Sequence, residues 1–575
     1  MQNTVWRKYR LFALIFIGLL VTSLLRSASV LHYSTWSVDE QSVVCIAVGF
    51  LDFDFNPRWF LYHTLPMYLL SIVYFALYWI YQLGGLISSK IEFASLLFAN
   101  DEVFFVPARL LFSFAHTLGC FVLAYIIRRK YESTLGAVLF FLTVILLPDS
   151  VMAATKVRVD TLVFLFMALT VYFSCYAERR FGTFVLSIIF CSAAFASKIT
   201  TIVLAPVLFL KTVFEVYRGN FPKRYLLCFL VLSPLTAIAL MPYSVLDFER
   251  YRSALSGVLG RASGSLFHIG KRHRTGFLEK ILAPWVLLVR ESGFLTVGAS
   301  LSLVPYAAFN DAALFFALIY AVAYTLAFST SAFVDTYWLR PVYAFVMFFA
   351  FVAVVKLFSS KRLARWLQVR FGATDRFRLR ASSAALLALT VGVFIVQCHE
   401  GIRYYHESLT TKGRDTRIVA SEWIHQNLPE GSTIFLDGYI KHYLPRVFSA
   451  DRSATLKSFY YRKVDENALL SKAFDRYYNE SRTKRRAFDV RFTDYLSQKY
   501  EPDQHIFSKG SYVVLSSAWY NRYYLKHVKE ETPALAAKAQ AYYKFICLQD
   551  LIKSFSGRGP EISVYRVIGG TIPAQ

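Results

Sequence analysis

Two neighbouring carboxylates, Asp39 and Glu40, follow the first apolar run of the chain, and Asp52 and Asp54 come soon after in an aromatic stretch punctuated by Pro57 and Pro66. Charge so close to a membrane-spanning run is costly and is usually kept for function; a solvated acidic loop is the plain alternative. A carboxylate can take the proton from a hydroxyl nucleophile. The cations suggest what such a nucleophile would attack. Lys156, Arg158 and Asp160 alternate between two apolar runs, and Lys198 sits at the junction of two more. His268, Lys271, Arg272, His273 and Arg274 place five potential cations in seven positions, Arg290 follows, and Arg340 precedes Pro341 at the start of another apolar run. Helix capping and snorkelling would account for some of these side chains. Taken together, lysine and arginine can stabilise charge building on a leaving phosphate, and guanidinium offers forked donors that stay charged. Carboxylates and cations at one membrane surface suit glycosyl transfer from a lipid-linked phosphosugar, whose leaving group stays anchored in the bilayer.

The elements that must position these residues are membrane spans. Of 575 residues, 56% are hydrophobic and 17% aromatic, which indicates a polytopic helical membrane protein. Apolar runs long enough to be candidates lie near 11–26, 61–82, 106–127, 134–154, 160–177, 183–198, 200–217, 224–243, 293–309, 312–332, 338–357 and 382–398. Basic clusters at 7–10, 128–130, 179–180, 218–224 and 356–380 fall on one side by the positive-inside rule only if 61–82 does not cross completely. We therefore expect 61–82 to be an outer, re-entrant or interfacial helix, with about 11–13 transmembrane helices in all. The acidic first loop (27–60) and a large loop (244–291) then share the outer face. The net charge of +25 is accounted for by these basic loops, and no nucleic-acid module accompanies it. The seven cysteines contain no CxxC pair, so no disulfide framework or thiolate metal site is indicated. The basic N-terminus with its apolar run is expected to be a retained signal anchor.

In this order and spacing the residues resemble the GT-C glycosyltransferases, specifically the branch of protein O-mannosyltransferases and aminoarabinose transferases. The resemblance is carried by Asp39–Glu40 after the first span, by Asn56, Pro57, Tyr62 and Pro66, by Pro107–Leu110 before a span ending at Arg128–Lys130, by Val159–Asp160, and by Ala196–Lys198. It runs loosely from residue 5 to 400. It implies an inverting transferase that uses a polyprenyl-phosphate sugar on the outer, periplasmic or luminal face of a membrane, here a bacterial inner membrane. Asp39 would be the general base, and Glu40 would support it or contact the sugar. Asp160 would be a second acidic residue near the acceptor or a metal. Arg340, His268, Lys271, Arg272, Arg290 and Lys198 would be the candidates for the donor phosphate. Where the family carries a basic residue before two prolines, this chain has His63 before Pro66, so His63 is the candidate substitute. Metal dependence varies in the superfamily, which leaves a divalent ion at Asp39 and Asp160 open. The expected partners are the lipid-linked donor, a glycan, lipid or protein acceptor, and membrane lipids.

After residue 410 the apolar runs shorten. Residues 415–427 have the spacing of an amphipathic helix, residues 429–432 form a turn, and 433–436, 512–516 and 562–567 read as strands. A basic, tyrosine-rich helical region lies between, at 455–500. An extracytoplasmic α/β domain over 411–575 follows, without a phosphate loop or nucleophile elbow. Two rival readings stay open: a transporter or flippase of lipid-linked sugar, which would carry repeats and mid-membrane ionisable groups, and a noncatalytic membrane scaffold.

Overall fold

The computed structural model describes residues 17–25 (except 20), 38–60, 62–147, 155–177, 180–260, 277–292, 294–304, 311–327, 339–359, 415–437, 444–459, 464–493, 507–521, 533–557 and 560–569, with isolated positions elsewhere. Its membrane part is helical. Four stretches are long and apolar enough to cross a bilayer: Leu65–Leu83, Glu102–Lys130, Val159–Tyr176 and Ile199–Tyr217. Shorter apolar helices accompany them at Thr134–Leu146, Phe181–Ser197, Arg224–Leu240, Ala312–Leu326 and Pro341–Leu357. The protein is an integral membrane protein of polytopic helical type with a C-terminal α/β domain. The expected spans at 11–26 and 382–398 fall largely outside the described residues.

In chain order the helices are α1 (Val38–Gly49), α2 (Leu65–Leu83), α3 (Lys90–Ala99), α4 (Glu102–Lys130), α5 (Thr134–Leu146), α6 (Val159–Tyr176) and α7 (Phe181–Ser197). A 3-10 turn leads into α8 (Leu204–Tyr217), followed by α9 (Arg224–Leu240), α10 (Phe248–Gly260), α11 (Phe277–Ser292), α12 (Phe294–Leu301), α13 (Ala312–Ala327) and α14 (Arg340–Ser359). The central helix is α6, with nearly every residue from Val159 to Ala168 buried. It packs against α4, α7, α13 and α14. Gly119 permits the approach of α4, because a Cβ there would meet the Phe164 ring of α6 at 2.7 Å. Two local signals set boundaries as expected for helix starts: the Ser89 hydroxyl accepts from Glu92 N at 3.2 Å, and the Ser133 hydroxyl accepts from Gly136 N at 3.1 Å. Each satisfies a first-turn N–H that has no partner within the helix.

The segment 244–291, expected to be one large loop, carries α10 and α11. Short amphipathic helices separated by residues 261–276 escape a search for apolar runs. Helix α3 was not expected either: its charged flanks, Lys90 and Glu92, break the apolar run that hydropathy reads.

Beyond Asp415 the chain forms α15 (Thr416–Asn427), β1 (Thr433–Asp437), α16 (Ala468–Arg482), β2 (Asp489–Thr493), β3 (Tyr512–Ser516), α17 (Pro533–Cys547), β4 (Asp550–Phe555) and β5 (Ile562–Arg566). The sheet order is β2-β1-β3-β5-β4. β1 pairs parallel with β2 and β3, and β5 pairs antiparallel with β3 and β4. The helical expectation for 455–500 is therefore corrected at its end, since Asp489–Thr493 is an edge strand. Its alternation of polar and apolar residues has period two, and it was hidden by the basic run before it.

The α/β domain sits on α3. Phe98 packs edge-on against Phe474 at 5.1 Å between ring centroids, and Tyr477 lies beside it at 6.0 Å. Arg446 donates to Asp101 at 2.8 Å and Arg476 to Glu92 at 3.0 Å. The Asn467 amide donates to the Gly49 carbonyl at 3.3 Å.

Candidate active site

Helix α1 places the acidic pair. Asp39 lies in its first turn, and its side chain is outside the described residues. Glu40 is fully buried. Arg109, from the second and third turns of α4, donates Nε to Glu40 Oε1 at 3.1 Å and Nη2 to Oε2 at 3.3 Å. Val157 N donates to the same Oε1 at 2.6 Å. A two-pronged guanidinium and a backbone N–H together satisfy a carboxylate that burial would otherwise penalise. Glu40 thus faces α4 and the lead-in to α6. This corrects the expectation that it could contact a sugar; its role is to support the turn carrying Asp39.

Asp160 and Lys198 were expected to serve different ends, and the structure brings them together. Lys198 Nζ donates to Asp160 Oδ1 at 2.6 Å, joining the start of α6 to the end of α7, and both side chains are nearly buried. Lys198 is therefore an internal partner of Asp160, which corrects its assignment to a donor phosphate. The same contact bears on a metal at Asp160, because an ammonium occupies the position that a cation would take on Oδ1. Among the described residues no group of three or more His, Cys, Asp or Glu is gathered to hold a metal ion.

His63 leads into α2 and is buried. Its Nδ1 donates to the Phe195 carbonyl, so that Nε2 is left as the acceptor for the Tyr251 hydroxyl of α10, at 3.3 Å. Burial pushes the His63 pKa down to about 4, against the opposing effect of the Phe195 contact. The imidazole is neutral at neutral pH, so His63 does not supply a cation for a phosphate. This corrects its proposed substitution for a basic residue. Burial raises Tyr251, which keeps its phenol a donor.

A second bond runs parallel to this one. Asn56 Nδ2 donates to Asp247 Oδ2 at 2.9 Å. The Asn56 side chain also accepts from Arg58 N at 3.0 Å, while its own N–H donates to Asp54 at 3.1 Å. The Arg58 guanidinium bonds Asp54 and the Glu466 carbonyl of the α/β domain. Phe53 and Arg58 have φ of 64° and 49°, left-handed values that cost energy in non-glycine residues and recur at functional sites. Under this loop Phe50, Phe55 and Tyr68 pack together, and Lys90 lies 4.1 Å over the Phe53 ring. The first acidic loop, the start of α10 and the α/β domain thus converge on one surface.

Of the remaining candidates, His268, Lys271 and Arg272 lie outside the described residues. Arg290 is exposed in the last turn of α11. Arg340 opens α14, and its side chain is outside the described residues. Sequence reasoning missed Arg109 as the partner of Glu40. The available signal was a lone arginine inside an apolar helix, which must be paired if it is buried. The pairs Asp101–Arg446 and Glu92–Arg476 were missed as well, since they join residues hundreds of positions apart.

No family model matches the chain, and no curated protein matches it. Solved structures do. The chain is similar to ArnT from Cupriavidus metallidurans bound to undecaprenyl phosphate, at 13% identity over 96% of this chain and 98% of that one, with a TM-score of 0.48. The apo form of that ArnT gives 14% identity over 98% of both chains, with a TM-score of 0.48. The archaeal oligosaccharyltransferase AglB from Archaeoglobus fulgidus, in complex with an inhibitory peptide and a dolichol-phosphate, gives 13% identity over 91% of this chain and 72% of that one, with a TM-score of 0.47. Both proteins are of the GT-C kind that the sequence resembles. At these identities and scores the likeness is one of architecture, and neither a residue role nor an activity follows from it.

Proposed function

We propose that the protein is an inverting glycosyltransferase that moves a sugar from a polyprenyl-phosphate donor to a hydroxyl acceptor on the outer face of the membrane. The observation that carries this reading is the buried Glu40–Arg109 pair, which fixes the first turn of α1 and with it Asp39. A span end is built there at the cost of two buried charges, and such an expense is best understood if the neighbouring carboxylate must be held in place. The lipid phosphates named with the ArnT and AglB structures belong to those proteins; for this chain the donor is part of the proposal.

In this reading Asp39 accepts the proton of the acceptor hydroxyl as its oxygen attacks the anomeric carbon. The bond from that carbon to the phosphate oxygen breaks, and polyprenyl phosphate leaves with the electron pair. Arg340, with Arg290 and the basic run at 268–274, is proposed to meet the developing phosphate charge. Attack from the face opposite the leaving group inverts the anomeric centre. Sugar, lipid length and acceptor are set by pocket shape.

The test uses purified protein in nanodiscs with a panel of radiolabelled polyprenyl-phosphate sugars, measuring release of polyprenyl phosphate. Turnover by wild type and none by Asp39→Asn, with donor binding kept, is the expected result. An active Asp39→Asn protein would remove the base assignment. A protein that binds no donor of this class would remove the reading.

A further inference from the structure

At the end of the helical bundle opposite Asp160 and Lys198, a crevice of about 320 Å³ of open space lies between α6, α8 and α13. Its walls are apolar, formed by Val171, Val207, Leu208, Phe316 and Ala317 among others, and one lysine, Lys211, lines it. Lys211 is buried, donates Nζ to the Ser174 carbonyl in the last turn of α6 at 3.1 Å, and lies 5.5 Å from the Phe221 ring centroid. One turn further along α8, Glu215 is also buried. Its Oε2 accepts from the Asn220 amide at 2.7 Å, and its Oε1 is buried without a hydrogen-bond partner. A buried acceptor left open in this way is a costly feature.

The surroundings are cationic. Arg128 and Arg129 are exposed at the end of α4, and Arg218, Lys223 and Arg224 are exposed between α8 and α9. Asp311, the other carboxylate at this end, is fully engaged by Lys130 at 2.7 Å, the Tyr131 hydroxyl at 3.1 Å and Leu314 N at 3.0 Å. In a bilayer, an apolar slot between helices that ends in a buried cation complements an acyl chain ending in a phosphate. Two of the three ammonium protons of Lys211 point away from Ser174 by tetrahedral geometry, and a phosphate oxygen is a strong acceptor for a further charge-assisted bond.

We propose that this crevice binds a phospholipid, with an acyl chain between α6, α8 and α13, the phosphate at Lys211, and a headgroup donor on Glu215 Oε1. Residues 211 and 215 are one turn apart on the same helix face, close enough to meet neighbouring groups of one headgroup. The lipid is therefore one whose headgroup carries N–H or O–H donors, such as phosphoethanolamine or phosphoglycerol, in preference to phosphocholine, which has none. The site depends on the protein spanning a membrane and is independent of any transferase activity.

Native mass spectrometry of the full chain in detergent, titrated with phosphatidylethanolamine, phosphatidylglycerol or phosphatidylcholine of identical acyl chains, tests this. Wild type is expected to hold one donor-bearing lipid per chain about tenfold more tightly than the choline lipid, the scale of one charge-assisted bond. Lys211→Met should weaken both donor-bearing lipids, Glu215→Gln should narrow their advantage over choline, and Ala317→Trp should block all three. The ratio between lipids is measured on one protein sample, so a partly misfolded variant does not mask the result. Equal affinity for the three headgroups in wild type, or an unchanged ratio in both Lys211→Met and Glu215→Gln, would overturn the proposal.

Discussion

The guanidinium of Arg109 lies against the carboxylate of Glu40 with both partners essentially withdrawn from solvent, at 2% and 0% side-chain exposure. The two residues belong to α4 and α1, and Val157 N adds a third anchor from the approach to α6. One carboxylate therefore ties together three segments that enter the outer surface from different parts of the chain. The pair also turns Glu40 inward, which separates the roles of two adjacent acids: one is held, and the other is positioned by the holding.

Breaking this pair should be expensive. Arg109→Met leaves an uncompensated carboxylate, and Glu40→Leu an uncompensated guanidinium, each costing about 3–5 kcal/mol. Thermal unfolding in detergent should show both losses, while the double variant should recover a large part of them, since both buried charges are then removed. Strictly additive losses would mean that the two residues do not act as a pair.

The Asp160–Lys198 contact makes a parallel claim about function. If Lys198 serves Asp160 and not the donor, Lys198→Met should disturb the α6–α7 junction and reduce turnover without a selective loss of donor affinity. Asp160→Asn keeps the shape and loses the ion pair. The two substitutions should be strongly non-additive in stability, by about 1–3 kcal/mol for residues in direct contact. A Lys198→Met protein of normal stability that fails only in donor binding would restore lysine to the phosphate.

The spans were legible in the sequence because burial in lipid demands long apolar runs, and the observed α4, α6, α7 and α8 begin and end within a few residues of the expected positions. Strands β1, β3 and β5 were legible as short apolar runs bounded by turns. The partners of charged residues were not. Glu40 could be seen as notable, but whether it faced a substrate or an arginine depends on how α1 and α4 pack, and the separation of 69 residues carries no local trace. His63 illustrates the same limit, since its type suggests a switchable charge and only its burial against Phe195 and Tyr251 decides that it is neutral.

That neutrality has a pH consequence. The folded-state pKa of about 4 lies below the usual 6.5, so the unfolded chain binds the proton more readily. Stability from this group is complete above the unfolded value and falls as pH drops from about 6.5 towards 4, by about 3 kcal/mol at most. Wild type should therefore lose thermal stability between pH 7 and pH 4.5 more steeply than His63→Gln, whose side chain does not titrate. Parallel pH profiles for the two proteins would count against a buried neutral imidazole.

Docking of the α/β domain should hinge on Gly49. A Cβ at this position would stand 2.8 Å from Asn467 Nδ2, so the amide would have to move. It is not free to do so without loss, because its Nδ2 donates to the Gly49 carbonyl and its Oδ1 caps α16 by accepting from Leu470 N at 3.0 Å. Gly49→Ala should then cost about 1–2 kcal/mol, the scale of a lost helix cap. Arg446→Ala, which deletes the bond to Asp101, should cost about 1.5–3 kcal/mol as the loss of a charged hydrogen bond. Hydrogen exchange separates these effects from global unfolding. Both variants should speed exchange in α16 and α3, where the two domains meet, while β1 and β3, in the middle of the sheet, keep their protection. Faster exchange throughout the sheet would mean that the substitutions unfold the domain rather than undock it, and unchanged exchange in α16 would show that Gly49 and Asn467 do not hold the domains together.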